Sequence, residues 1–137
     1  MSSRTYTLEI VTQERVVYAG EVTSVMAPGD RGYFSVWANH APFLAALRSG
    51  VMTIREAGGS EVRLAVGGGF FEVNSNHVIV LADSADFPDE IYAGMERDRL
   101  KDARDRMLHP LAASSDLETA RRQAELSEAK LKVVGNR

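Results

Sequence analysis

The 137-residue sequence contains no cysteine. That single absence removes disulfide scaffolds, thiolate zinc sites, iron–sulfur clusters and thiol catalysis. Neither sign of charge is in large excess. Sixteen Lys and Arg stand against 19 Asp and Glu, a net charge of −3, so the chain has no basis for wholesale electrostatic binding to nucleic acid or anionic lipid. Long apolar runs are also lacking. The longest charge-free stretch, Gly32 to Leu47, spans sixteen residues and is broken by Asn39, His40 and Pro42. A bilayer-spanning helix needs about 20 apolar residues. No apolar segment of signal-peptide type follows Met1-Ser2-Ser3-Arg4, so the expectation is a soluble protein on the cytosolic side.

What remains is a foldable chain, 45% apolar, of the size of one domain with room for an appendage. Its composition changes near Asp83–Pro88. Residues 1–87 carry no Lys, six Arg, nine acids and nine of the eleven glycines, whereas residues 88–137 carry ten bases and ten acids. Two structural regimes are therefore predicted, 1–87 and 88–137.

The first regime has the period-2 patterning of half-buried strands. Tyr6, Leu8 and Ile10 alternate with Thr7 and Glu9; Val62, Leu64 and Val66 alternate with Glu61 and Arg63; Met52 and Ile54 flank Thr53. Turn signals recur at Ala19-Gly20, Pro28-Gly29-Asp30, Ser49-Gly50, Ala57 to Ser60 and Asn74-Ser75-Asn76. This spacing predicts nine or ten short strands in an all-β sandwich or barrel.

The second regime predicts two antiparallel helices. Pro88 suits a first helical turn, and Asp89 and Glu90 complement the helix dipole there. Tyr92, Met95, Leu100, Ala103 and Met107 fall within one arc of about 140° at helical spacing, and Pro110 ends the segment. Ser115 and Glu118 have the spacing of a capping box. Leu117, Ala120, Ala124 and Leu131 then form a narrow stripe, with Gly135 as a stop. Asp102–Arg106, Glu118–Arg122 and Glu128–Lys132 are favourable i,i+4 pairs. Each helix has one modest apolar stripe, so the pair must lean on the β-domain or on another protein. That makes it a candidate moving or docking element.

Reactive centres are hard to build from these residues. His40, His77 and His109 are the only imidazoles, and two of them cannot supply the three or four convergent ligands of a zinc site. Gly67-Gly68-Gly69 precedes the strand-like Phe70-Phe71-Glu72-Val73 rather than a helix, so it predicts a bulge or close backbone approach, not a phosphate cradle. Ser84, Ser114 and Ser115 lack a nucleophile elbow, and Asp89-Glu90 lies in the most solvated part of the chain. The helix bases are balanced by acids. They form either a solvated surface or a site for an acidic segment or a nucleotide phosphate, which arginine binds in bidentate fashion.

Several motifs, in order, resemble one family. Val25-Met26-Ala27-Pro28-Gly29-Asp30-Arg31-Gly32-Tyr33-Phe34-Ser35-Val36 is followed by Asn39-His40-Ala41-Pro42-Phe43-Leu44 and Leu47-Arg48-Ser49-Gly50. Gly68-Gly69-Phe70-Phe71-Glu72-Val73, Asn76-His77-Val78 and Leu81-Ala82-Asp83-Ser84-Ala85 come next. Over essentially its whole length the chain resembles the epsilon subunit of bacterial F-type ATP synthase, the counterpart of the mitochondrial delta subunit.

The resemblance implies an α+β protein: a ten-stranded antiparallel β-sandwich over 1–87, then a regulatory antiparallel helical hairpin over 88–137. It implies a non-catalytic central-stalk subunit that couples rotation to ATP synthesis. The sandwich would bind the gamma subunit and rest on the c-ring, with Tyr33, His40 and Pro42 at the interface. The hairpin, through Arg104, Arg121 and Arg122, would reach the alpha and beta subunits of the catalytic head and restrain ATP hydrolysis. Some relatives bind ATP through a first-helix motif; the matching stretch Met95-Glu96-Arg97-Asp98-Arg99-Leu100 makes Glu96 and Arg99 the ATP contacts to test. No cofactor, metal or nucleic-acid partner is implied. Membrane association would be peripheral, through the complex, at the cytoplasmic face of the bacterial plasma membrane. The competing expectations are an unrelated β-sandwich adaptor that recruits a partner through its helices and, more distantly, a small β-domain enzyme.

Overall fold

The computed structural model describes residues 4–135. Seven strands come first: β1 (Tyr6–Val11), β2 (Val16–Gly29), β3 (Gly32–Trp37), β4 (Phe43–Glu56), β5 (Glu61–Asn74), β6 (His77–Ala82) and β7 (Ala85–Asp86). A 3-10 turn (Pro88–Glu90) leads into α1 (Ala93–Met107) and α2 (Ser114–Val134). The α+β class with two C-terminal helices is as expected. The strand count is not: seven strands stand, among the described residues, where ten were predicted.

The difference has a physical source. Ala19-Gly20 and Ser49-Gly50, read as turns, lie inside the fourteen-residue strands β2 and β4. Gly50 is small for packing: a Cβ there would meet Pro28 Cβ at 2.6 Å and the Tyr33 hydroxyl at 2.7 Å. The 67–69 run is the predicted close approach. Gly69 has φ +133°, and a Cβ on it would run into the Leu81 carbonyl oxygen. Only glycine tolerates both conditions. Predicted turns that do form are at Asp30-Arg31, at 57–60 and at Ser75-Asn76, the last with left-handed φ values of 52° and 58°.

Two of the three fourteen-residue strands change partners along their length. β2 pairs first with β1 and then with β3 and β4; β5 pairs along its length with β4, and with β7 and then β6 on its other side. The order β1-β6-β5-β4-β2 returns to β1, so the sheet closes on itself. One pairing corrects the all-antiparallel expectation: β1 runs parallel to β6, with Leu8 beside Val78 and Ile10 beside Val80. Inside lie Tyr6, Leu8, Ile10, Met52, Ile54, Leu64 and Phe71. The one polar tip among them, the Tyr6 hydroxyl, donates to the Val36 carbonyl at 2.7 Å; burial pushes that phenol well above its ordinary value.

The helices differ from expectation at their starts. Pro88 opens the 3-10 turn, and α1 begins only at Ala93. Tyr92 and Met95, the leading part of the predicted arc, face solvent, while Leu100, Ala103 and Met107 pack on Ala120 and Ala124. The Ser115 capping box does not form, because α2 starts two residues earlier, at Ser114, with Ala113 as its cap. Gly135, at φ +70°, does end α2. α2 buries a second face that a single stripe did not anticipate: Ala129, Val133 and Val134 pack on Val51, Ala65 and Ile91. α2 therefore lies between the sheet and α1.

Candidate functional site

Two regions gather features beyond plain folding. The first is the outer face of the sheet. Val16 is opposite Val11, Val11 beside Leu81, Leu81 opposite Phe70, and Phe70 opposite Ala46, with Leu44 diagonal to Phe70. Cross-strand and diagonal neighbours on one face are within side-chain reach. Val16, Leu44, Phe70 and Leu81 are 53–66% exposed. Single exposed hydrophobes are ordinary, but a continuous row of them marks an interaction surface.

The second region is the junction of β7, α1 and α2. Glu96 is 4% exposed. Its Oε2 accepts from the Arg99 guanidinium at 2.8 Å, and its Oε1 accepts from Ser127 Oγ at 3.1 Å. Ser127 Oγ in turn accepts from Gln123 Nε2 at 2.9 Å. Lys130 Nζ stands 3.7 Å from both Glu96 Oε2 and Asp86 Oδ2. Nearby, Arg15 in the β1–β2 turn clamps Glu90 with contacts of 3.0 and 2.8 Å, and the Phe87 amide donates to Glu90 at 2.9 Å. The Arg15 hydrogen bonds hold the Glu90 carboxyl below the usual carboxylate range.

The predicted site residues are distributed over both regions. Glu96 and Arg99 meet, but as an ion pair with each other, and only Arg99 keeps half its side chain in solvent. Tyr33 is half exposed; its hydroxyl accepts the Val51 amide at 2.9 Å, and it borders α2 beside Ala129 and Lys132. His40 and Pro42 are exposed in the loop after β3, where the His40 ring packs edge-on against Phe43 and Phe43 against Phe34. Tyr33 and Phe34 alternate across β3, so Tyr33 faces away from that aromatic group. On the hairpin, Arg104 pairs with Glu128 at 3.5 Å, Arg122 with Glu118 at 3.2 Å, and Arg121 is exposed. Of the predicted i,i+4 pairs, Asp102–Arg106 forms as well. Glu128 turns to Arg104 instead of Lys132. A cleft of about 550 Å³ between α2 and the sheet is lined by Arg48, Asp83, Arg106, Arg122 and Glu125, among others.

Sequence reading missed Asp86 and Ser127, and took Lys130 only as one of the helix bases balanced by acids. The available signal was Ser127, a polar residue seven positions after Ala120 on the stripe that faces α1. Among the described residues no group of three or more His, Asp or Glu is placed to hold a metal ion. No described helix is long and apolar enough to cross a membrane.

A family model described as ATP synthase, Delta/Epsilon chain, beta-sandwich domain matches residues 5–88. The ATP synthase epsilon chain of Moorella thermoacetica is 39% identical over 128 residues, covering 93% of this chain and 95% of that protein. That of Anaeromyxobacter sp. (strain K) is 41% identical over 129 residues, covering 94% and 97%. Among solved structures, a chain of the Euglena gracilis mitochondrial ATP synthase (OSCP/F1/c-ring) aligns with a TM-score of 0.82 at 21% identity, covering 93% of this chain and 79% of that one. A chain of the Tetrahymena thermophila mitochondrial ATP synthase central stalk and c-ring gives 0.65 at 14%, covering 98% and 99%. At those identities the structural likeness speaks for the fold.

Proposed function

The chain belongs to the delta/epsilon family of ATP synthase subunits, and from that premise we propose that it works as the foot of the central rotor, with its helices as a regulatory arm. As an epsilon-type chain it is a non-catalytic subunit of the complex. The expectations of an unrelated adaptor and of a small enzyme give way to the family match.

The observation that carries the rotor reading is the apolar row across Val16, Leu81, Phe70 and Leu44. A subunit that transmits torque must be bound firmly through a stiff surface, and a closed sheet supplies one. An exposed aromatic flanked by aliphatic residues has the make-up of an interface anchor. The gamma subunit is the partner this row fits in our reading. Residues 1–87 form the docking unit and 88–137 the regulatory unit. Tyr33, His40 and Pro42 are the c-ring contacts to test. They act as two separate contacts, because Tyr33 lies toward α2 and His40 with Pro42 toward Phe43.

Arg104, Arg121 and Arg122 would meet the alpha and beta subunits only when the hairpin leaves the sheet. Attachment to the membrane is then peripheral, through the complex, at the cytoplasmic face of a bacterial plasma membrane. A regulatory ATP would have to displace the Glu96–Arg99 ion pair, and calorimetry with ATP tests that. The main experiment is capture by a gamma–c-ring assembly. Phe70→Asp with Leu81→Asp should abolish capture while leaving the fold intact, and deletion of 88–137 should keep capture and raise ATP hydrolysis. Capture unaffected by the two aspartates would sink the docking face; unchanged hydrolysis would sink the regulatory arm.

A further inference from the structure

α1 has almost no seat of its own on the sheet. Its buried apolar residues pack on α2, and its leading residues Tyr92 and Met95 are exposed. α2 in turn rests on the sheet through small side chains, Ala129, Val133 and Val134. The three layers are tied together at one edge by four charges. Asp86 belongs to β7, Lys130 to α2, and Glu96 and Arg99 to α1. Lys130 bridges all three elements, at 3.7 Å from Asp86 and 3.7 Å from Glu96.

We infer that this Asp86–Lys130–Glu96–Arg99 chain is a latch that holds the hairpin on the sheet by geometry and contributes little net free energy. It deepens the regulatory reading above and rests on that reading for its purpose. Lys130 and Glu96 keep only 14% and 5% of their side chains in solvent. Desolvating such a pair costs about as much as the attraction returns, so an intact pair adds little; one member left alone is strongly unfavourable. When the helices leave, all four groups regain water together. A docked state that is sharply defined yet close in energy to the released one is what a two-position element requires. An apolar substitute would hold the helices in one place.

Amide hydrogen exchange on the full chain tests the latch. Lys130→Met alone, or Glu96→Leu alone, should speed exchange of the α1 and α2 amides about tenfold, because each takes one of two ionic partners from a buried charge and leaves it with the other only. The double variant should bring those amides back to the parent rate or below it, since Asp86 and Arg99, 29% and 46% exposed, can turn to water. Exchange in β5 and β6 serves as the internal reference and should not move. Three results would each overturn the latch: single variants exchanging like the parent, a double variant showing the product of the single effects, or strand amides accelerating with the helices. Loosened helices without any change in hydrolysis would count against the inhibitory arm and leave the latch standing.

Discussion

The sheet and the hairpin are held by different kinds of contact. Inside the sheet, Leu8, Ile10, Met52, Ile54, Leu64 and Phe71 are all completely buried. Between the helices the fully or nearly buried residues are Ala103, Ala120 and Ala124. Each buried methyl or methylene is worth about 0.8 kcal/mol, so an alanine seam supplies a fraction of what the sheet interior does. The hairpin adds ion pairs, which are sensitive to geometry and weak in sum. Rigidity is concentrated in one half of the molecule and adjustability in the other.

The sharpest way to break this comparison is from the sheet side. Phe71 packs edge-on against Phe34 with ring centroids 5.0 Å apart. Phe71→Ala should cost about 3–5 kcal/mol of global stability, read as a lower denaturation midpoint for strands and helices together. Helices that stayed folded and docked after the strands had melted would mean that the sheet does not carry the whole fold. A smaller effect comes from the seam. Ala124→Leu overfills it and should weaken helix docking by about 1–3 kcal/mol, visible as faster exchange in α1 and α2 with the strands unchanged.

The smallest effect lies where the two halves meet, at Arg15 and Glu90. Arg15 holds the folded Glu90 carboxyl below its ordinary value. The contact therefore contributes above the unfolded glutamate pKa of about 4.3 and fades as pH falls through the depressed folded value. The difference in melting temperature between the parent and Arg15→Ala should be small at neutral pH and low salt. It should shrink toward acid and in high salt, because both side chains are partly exposed. A difference that grew on acidification would refute the assignment.

Much of this was legible in the sequence, for reasons that can be named. Alternation in Tyr6–Val11 and Glu61–Val66 marked strands because one face of each is buried. The rise in charge after Pro88 marked the helices because their outer faces meet water. Glycine was the ambiguous letter. At Ala57 to Ser60 it makes a turn, but at Gly50 it makes room for Pro28 and Tyr33, and local sequence cannot tell the two apart. Glu96 and Arg99 were singled out as ligand contacts because acid and arginine on a helix fit a nucleotide. Their pairing with Ser127 and Lys130 depends on how two helices and a strand converge, which no single window contains. The same holds for Tyr33 and His40, seven residues apart, of which one borders α2 and the other, in the loop after β3, packs against Phe43.

The parallel pairing of β1 with β6 has a consequence for how the protein is made. The strand at the front of the chain cannot complete its hydrogen bonds until the residues around His77 to Leu81 have been synthesised. A nascent chain therefore carries Tyr6–Val11 with one side unpaired while most of the sheet emerges from the ribosome. The helices are translated after the strands, and α2 rests on β4 and β5 through Val51 and Ala65. Such long-range closure slows folding, and it makes the seam between β1 and β6 the step that shuts the sheet.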